Sequence, residues 1–199
     1  NLTLSNAHGE FNSKNYLALL VAYNKGVIDN CHIKNSMIEV QCNNNDKYTG
    51  AIAAQNIGTI INCSCNGVTI KANRKDKNLS VGIIVANHNT ANGKILNCYT
   101  SNCYVKNSQQ TGGICTRMLK GSIIENCYTS NITFTNAGTA GVLVGYNNSS
   151  LIKGCFYEYG KRAVGEGKMT SGNHAYYATA TATAEVISSK DVAPSLNKW

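Results

Sequence analysis

A block of the form Gly-x-Ile-x-Asn-Cys recurs along this chain and constrains its fold more than any other feature. It occupies residues 26–31, 58–63 and 93–98, with a copy one residue longer at 121–127 and a degraded copy at 150–155. The cysteines that end successive blocks are 32, 35, 29 and 28 residues apart. A period of about thirty residues with turn residues at fixed offsets is typical of a stacked-repeat protein.

Two further segments accompany each block. A short apolar run precedes it, as in residues 82–86 and 141–145, and an asparagine follows most of these runs. Asn-x-Gly between the run and the block indicates a turn, since both residues tolerate positive φ. An alternating segment, as in residues 67–70 and 131–137, follows the block and has the period of a β-strand. The sequence therefore predicts an all-β parallel β-helix solenoid of about five three-stranded coils.

The repeat pattern gives the domain boundaries. Residues 1–159 are predicted to form the β-helix repeats, and residues 160–199 a C-terminal loop and capping segment. Ser188–Asp191 has the composition of a helix start, followed by Val192 and Leu196 on one face. Such a segment would cover the open strand edges at the end of a solenoid.

Charge and hydropathy limit the partners of the chain. The formal net charge is +8, but the cations are scattered, except for a cluster at Lys71, Arg74, Lys75 and Lys77. A short basic run most often solvates a loop, so no nucleic-acid partner is expected, although an acidic partner is permitted. No apolar run is long enough to span a membrane, and the chain begins in mid-repeat without a signal peptide. We expect a trimmed piece of a longer exported protein.

Stacking in register would turn two block positions into columns of identical side chains. The first column is a cysteine ladder that points inward, at Cys31, Cys63, Cys98, Cys127 and Cys155. Stacked strands lie ~4.8 Å apart, which is poor geometry for a disulfide, so packed free thiols are favoured over disulfides. The second is a structural asparagine ladder at Asn30, Asn62, Asn97 and Asn126, whose amides would bond one another. No metal or other cofactor is expected.

The residue after each ladder cysteine should point outward. At three blocks this residue is aromatic: Tyr99, Tyr128 and Phe156. Rings at this position either form a stripe on which sugars stack or simply suit half-buried strand positions. Lys71, Arg74 and Lys75, in the longest variable loop, are the second candidate site for a ligand.

The acidic residues give little support to catalysis. Asp29 and Glu125 share one repeat position but should lie three coils apart, roughly 14 Å at strand spacing. This separation is too large for the paired carboxylates of a glycosidase. A polysaccharide-degrading lyase or glycoside hydrolase, with an active site built from the variable loops, remains the alternative to a binding module.

A combination of motifs resembles the GLUG-type repeat of secreted bacterial proteins. It comprises Ala140–Asn147 (Ala-Gly-Val-Leu-Val-Gly-Tyr-Asn), the Ile-x-Asn-Cys-Tyr segments and the closing Ser-Ser-x-x-Val-x-x-x-Leu-Asn-x-Trp. The resemblance implies a right-handed parallel β-helix on an exported, often surface-attached, adhesin-like protein. The function predicted from the sequence is a non-catalytic secreted or cell-surface module of a bacterium that binds glycan or a host surface polymer.

Overall fold

The computed structural model describes residues 1–12, 15–41, 47–73, 79–88, 92–158, 160–167 and 175–178. Within these residues the regular elements are all β-strands, and strands of neighbouring coils pair in parallel. They stack into a β-solenoid of about five turns, which confirms the predicted fold class. In the described part of the chain, no helix is long and apolar enough to cross a membrane.

The strands form four sheets, named A to D here. Sheet A contains β1 (Leu2–Ser5), β2 (His8–Phe11), β6 (Cys31–Lys34), β7 (Met37–Val40), β11 (Ser64–Asn66), β12 (Thr69–Ala72), β16 (Tyr99–Lys106), β20 (Tyr128–Thr135), β24 (Cys155–Glu158) and β26 (Ala175–Ala178). Sheet B contains β3 (Tyr16–Ala18), β8 (Lys47–Gly50), β13 (Leu79–Gly82), β17 (Gln110–Gly112) and β21 (Thr139–Gly141). Sheet C contains β4 (Val21–Asn24), β9 (Ala53–Asn56), β14 (Val85–His88), β18 (Cys115–Met118), β22 (Val144–Asn147) and β25 (Val164–Gly167). Sheet D contains β5 (Val27–Asp29), β10 (Thr59–Ile61), β15 (Lys94–Leu96), β19 (Ile123–Glu125) and β23 (Leu151–Lys153).

Each coil holds more strands than the three that the sequence predicted. In one coil the chain passes through β8 in sheet B, β9 in sheet C, β10 in sheet D, and then β11 and β12 in sheet A. The predicted apolar run covers the corner between sheets B and C, so strands lie on both sides of it. The predicted alternating segment is the second half of sheet A, which bends halfway along its strands.

Glycine forms the corner between sheets B and C because no side chain fits there. In four coils a Cβ added to this glycine would lie 1.8–2.1 Å from the carbonyl oxygen three residues later. The glycines are Gly50, Gly82, Gly112 and Gly141. A contact this short with the backbone leaves no room for a side chain in these four coils, whereas the equivalent residue of the first coil is Ala18.

The core lies inside the coils and is built from columns of register partners. The column in sheet D consists of Ile28, Ile60, Ile95, Ile124 and Ile152, all of which are buried. Burial of one such side chain contributes about 1.5–3 kcal/mol. Because Ile60, Ile95 and Ile124 are covered by the coils on either side, this stabilisation depends on stacking.

The sheets continue beyond residue 159. Strand β25 pairs with β22 in sheet C, and β26 pairs with β24 in sheet A. The predicted helix start at Ser188–Asp191 lies outside the described residues, and the boundary between residues 159 and 160 stays a prediction.

Candidate functional site

The cysteine ladder is present, and its thiols form hydrogen bonds with the backbone at the corner between sheets D and A. The N–H of Cys31 donates to Sγ of Cys63, that of Cys63 to Cys98, and that of Cys98 to Cys127, each at 3.4 Å. Each thiol of the ladder also donates to the carbonyl two residues before it, at 3.1 Å in Cys63 and Cys98. Cysteine therefore satisfies a buried corner N–H as well as filling space, which its hydrophobic character alone did not predict.

Cys65, Cys103 and Cys127 are poor candidates for chemistry. The eight cysteines in the described residues are free, and Cys42 lies outside those residues. Burial raises the pKa of Cys103 to about 11 and holds the pKa of Cys65 and Cys127 well above the ordinary value. A buried, protonated thiol is neither a nucleophile nor a metal ligand at neutral pH.

The asparagine ladder is also present. Asn97 donates its side-chain amide to Asn62 at 3.2 Å, and Asn126 donates to Asn97 at 3.3 Å. Asn62 donates to Asp29 at 3.0 Å rather than to Asn30, which donates to Asn1. All four predicted ladder asparagines have φ between 50° and 56°, a left-handed conformation that asparagine adopts more readily than most residues.

Two further asparagine columns were missed by the sequence analysis. Asn131 donates to Asn102 at 2.8 Å, and Asn136 donates to Asn107 at 2.7 Å. A signal was present, because asparagines recur every five residues at positions 97, 102 and 107 and again at 126, 131 and 136. The first of these columns marks the bend in sheet A, where the equivalent residues are Asn6, Asn35, Gly67, Asn102 and Asn131, all with positive φ.

The Asn-x-Gly segments lie at the predicted turn, the corner between sheets C and D, but not with the positive φ that the sequence suggested. Asn24, Gly26, Asn56 and Gly58 are not among the residues with positive φ, and both asparagines are buried. Each asparagine instead accepts a bond from the N–H two residues later, at 3.1 Å to Gly26 and 3.2 Å to Gly58. The two side chains are joined by a 2.7 Å bond between their amides. Asparagine thus stabilises this corner by side-chain hydrogen bonds and not by a left-handed backbone.

His88 occupies the next position in this buried column. Its Nδ1 lies 3.2 Å from the amide nitrogen of Asn56, and its Nε2 lies 3.3 Å from the carbonyl oxygen of Ile123. The arrangement fits a neutral imidazole that accepts at Nδ1 and donates at Nε2. Burial lowers the pKa of His88 to about 4.

The aromatic stripe lies on the outer face of the first half of sheet A. Tyr99, Tyr128 and Phe156 are register partners on adjacent strands and are half-buried. The rings of Tyr99 and Tyr128 are parallel within 5°, and their centroids are 5.0 Å apart. Burial, together with the neighbouring Tyr99, raises the pKa of Tyr128 to about 12. One face of each of these two rings therefore covers the other ring, and Phe156 is the next residue in the same register.

A groove lies at the bend in the same sheet. Its volume is about 530 Å³, and it is lined by Asn35, Ser36, Met37, Gly67, Thr69, Lys71 and Tyr104. Met37, Thr69 and Tyr104 are register partners, and Tyr104 stands five residues after Tyr99 on β16. The structure therefore places one predicted candidate, Lys71, in a groove beside the stripe. Arg74 and Lys75 lie outside the described residues.

The described carboxylates converge at one place. His8, Glu10 and Glu39 each offer a ligand atom within 4.8 Å of the other two, on the outer face of β2 and β7. The carboxylates are 65% and 38% exposed, and Nε2 of His8 lies 3.3 Å from Glu39. General acid catalysis by a glycosidase needs one carboxyl in a sheltered environment, which these solvated groups lack. Asp29 and Glu125 are three coils apart, as predicted.

Comparison with known proteins gives no matching family model and no matching curated protein sequence. The resemblance to GLUG-type repeats therefore stays a hypothesis, whereas the β-solenoid with its asparagine and cysteine ladders is shown.

Proposed function

We propose that this chain is a non-catalytic, adhesin-like module that binds glycan or another host polymer through the outer face of sheet A. The observation that carries the proposal is the groove of about 530 Å³ on the same sheet as the stripe of Tyr99, Tyr128 and Phe156, with Tyr104 of the groove five residues along β16 from Tyr99. A volume of this size suits a small organic ligand such as a sugar ring. Amide, hydroxyl, aromatic and ammonium groups together match the mixed polar and apolar surface of a carbohydrate.

The ladders support this role because they make the surface rigid. Hydrogen bonds between the side-chain amides of neighbouring coils fix the spacing of the outward side chains on sheet A. A rigid surface loses little entropy on binding. An aromatic contact is worth about 1 kcal/mol, so we expect weak affinity at each site that becomes effective by repetition on a surface. Display of the module outside a bacterial cell is part of the proposal and follows from the resemblance.

A glycan and mucin array tests the proposal. The double variant Tyr99→Ala, Tyr128→Ala should lose at least about 90% of the bound signal, because it removes the stripe. The matched control is Tyr16→Ala, Tyr48→Ala on sheet B, since Tyr16 and Tyr48 also stack, with centroids 5.6 Å apart. Binding should survive in the control. Equal binding by the parent and the sheet A double variant would contradict the proposal.

The alternative of a polysaccharide-degrading enzyme stays a prediction. Its active site was predicted in the variable loops, of which residues 42–46 and 74–78 lie outside the described residues. Release of new reducing ends from a polysaccharide by the parent protein would establish this alternative in place of a purely binding role.

A further inference from the structure

The groove lies at a point where one residue of the asparagine column at the bend, Gly67, has no side chain. The equivalent residues in the neighbouring coils are Asn35 and Asn102, and both have the same left-handed backbone as Gly67, with φ of 46°, 53° and 67°. With no side-chain amide at position 67 to accept it, the hydrogen bond from the side chain of Asn102 goes to the side chain of Asn66, at 3.2 Å. Oδ1 of Asn35 lies only 2.6 Å from the place that a Cβ on Gly67 would take, so a side chain at position 67 would have to displace the Asn35 amide and would crowd the groove that both residues line. The gap in the asparagine column at Gly67 therefore opens on the groove, with the Asn35 amide at its edge.

The sides of the gap combine apolar and polar groups. Met37 and Tyr104 supply the apolar surface, and Thr69 lies between them in the register. The exposed amide of Asn35 lies at the bend. An aromatic ring and a thioether can contact the C–H face of a pyranose, while the amide and the hydroxyl can bond its hydroxyl groups.

The charge around the gap is positive. Lys71 lines the groove, and its register partner in the next coil is Lys106, ~4.8 Å away along the sheet. The exposed Lys34 directly precedes Asn35. On the other side, the register partner of Lys71 is Glu39, also ~4.8 Å away along the sheet, and this carboxylate lies 3.3 Å from Nε2 of His8, so three lysines stand against one carboxylate. An ammonium group at the edge of a small groove favours an anionic ligand.

We propose that the gap at Gly67 holds one carboxylate-bearing sugar residue of a glycan, with the carboxylate at Lys71 and the ring against Tyr104 and Met37. The inference rests on the proposed function and specifies the ligand class at that surface. The stripe at Tyr99 and Tyr128 would then contact neighbouring, uncharged residues of the same glycan chain.

Saturation-transfer NMR with a hyaluronan tetrasaccharide tests this inference, because the tetrasaccharide alternates acidic and neutral sugars. The matched ligand is the same tetrasaccharide with its carboxyl groups reduced to alcohols. We expect the reduced ligand to bind the parent protein about fivefold more weakly, the range of an exposed charge pair. Lys71→Gln should weaken binding of the acidic ligand to the same extent. The control Lys94→Gln, on an exposed strand position of sheet D, should leave binding unchanged.

Gly67→Asn provides the steric test. The new side chain fills the gap in a conformation that asparagine adopts at the equivalent positions, and binding of the acidic ligand should be lost. Equal affinity for the two ligands, or unchanged binding by Gly67→Asn, would overturn the inference. Loss of array binding in the Tyr99 and Tyr128 double variant but not in Gly67→Asn would leave the proposed function intact and reject this inference alone. Absence of binding to any glycan by the parent would reject the proposed function itself.

Discussion

Glycine occupies two kinds of bend in this solenoid, and the difference between them separates structure from function. At the corner between sheets B and C, glycine recurs in successive coils because a carbonyl oxygen occupies the place of a Cβ. At the bend in sheet A, Gly67 stands alone in a column of asparagines. The repeated glycine is closed in by backbone atoms, whereas the single glycine is closed in by the side-chain oxygen of Asn35, which can move. A residue that departs from its column is therefore the place to look for a site.

The largest effect is expected at the crowded corner. Gly82→Ala would place a Cβ 1.8 Å from the carbonyl oxygen of Val85, so the backbone must move. We expect a loss of about 4 kcal/mol or more in the free energy of unfolding, measured by urea denaturation. Gly26→Ala is the control, because nothing lies within 4 Å of its added Cβ. A loss below about 1 kcal/mol in Gly82→Ala would mean that the corner is not sterically closed.

His88 also differs from the asparagines of its column, and from its buried imidazole we predict a stability that depends on pH. Because burial lowers its pKa to about 4, the folded protein keeps His88 neutral while the unfolded chain takes up a proton below about pH 6.5. The contribution of neutral His88 to the free energy of unfolding should be fully present above pH 6.5 and should be lost as the pH decreases from 6.5 to 4. The total loss is about 3 kcal/mol, with no further loss from this group below pH 4.

The matched variant for this prediction is His88→Asn, which restores the residue found at Asn24, Asn56 and Asn147. The difference in the free energy of unfolding between parent and variant, measured by urea denaturation at several pH values, isolates the histidine. A constant difference from pH 7 to pH 4 would contradict the account.

Substitutions in the asparagine column at the bend in sheet A should lower the free energy of unfolding by less than the two changes above. Asn102→Ala removes bonds to Asn66 and Asn131 and forces alanine into a left-handed conformation, so we expect a loss of about 1.5 kcal/mol by urea denaturation. Asn102→Gly removes the same bonds without the conformational cost and should lose less than about 1 kcal/mol. If the alanine and glycine variants were equally stable, the left-handed backbone would not be the reason for asparagine here.

The sequence predicted much of the repeat geometry and little of the site. The period and the Asn-Cys blocks fixed the parallel stacking and both predicted ladders, since identical residues at one offset must align when coils stack. The outward alignment of Tyr99 with Tyr128 followed from the same reasoning and is observed. The stacking of their rings depends on side-chain torsions, which the offset does not specify.

The groove could not be predicted in the same way, because it depends on the absence of a side chain. Gly67 was assigned to the start of a strand, and its equivalence to Asn35 and Asn102 becomes evident only from the register. The five-residue asparagine spacing at 97, 102 and 107 would have revealed it, since Asn62 is followed five residues later by Gly67. The glycines of the corner between sheets B and C can be read in the sequence. The carbonyl oxygen that lies against each of them cannot, because the contact forms only in the folded coil.

The most direct test of the central claim is the thermal unfolding of Gly67→Asn. If Gly67 is a gap in an otherwise structural ladder, the Asn35 amide, which lies 2.6 Å from the added Cβ, can turn aside and form a hydrogen bond with the new amide, and the unfolded chain loses some freedom. We predict a stabilisation of about 0.5 kcal/mol, which raises the unfolding temperature by about 1–2 °C. A lower unfolding temperature than that of the parent would contradict the claim, because Gly67 would then be required by the backbone like the glycines of the crowded corner.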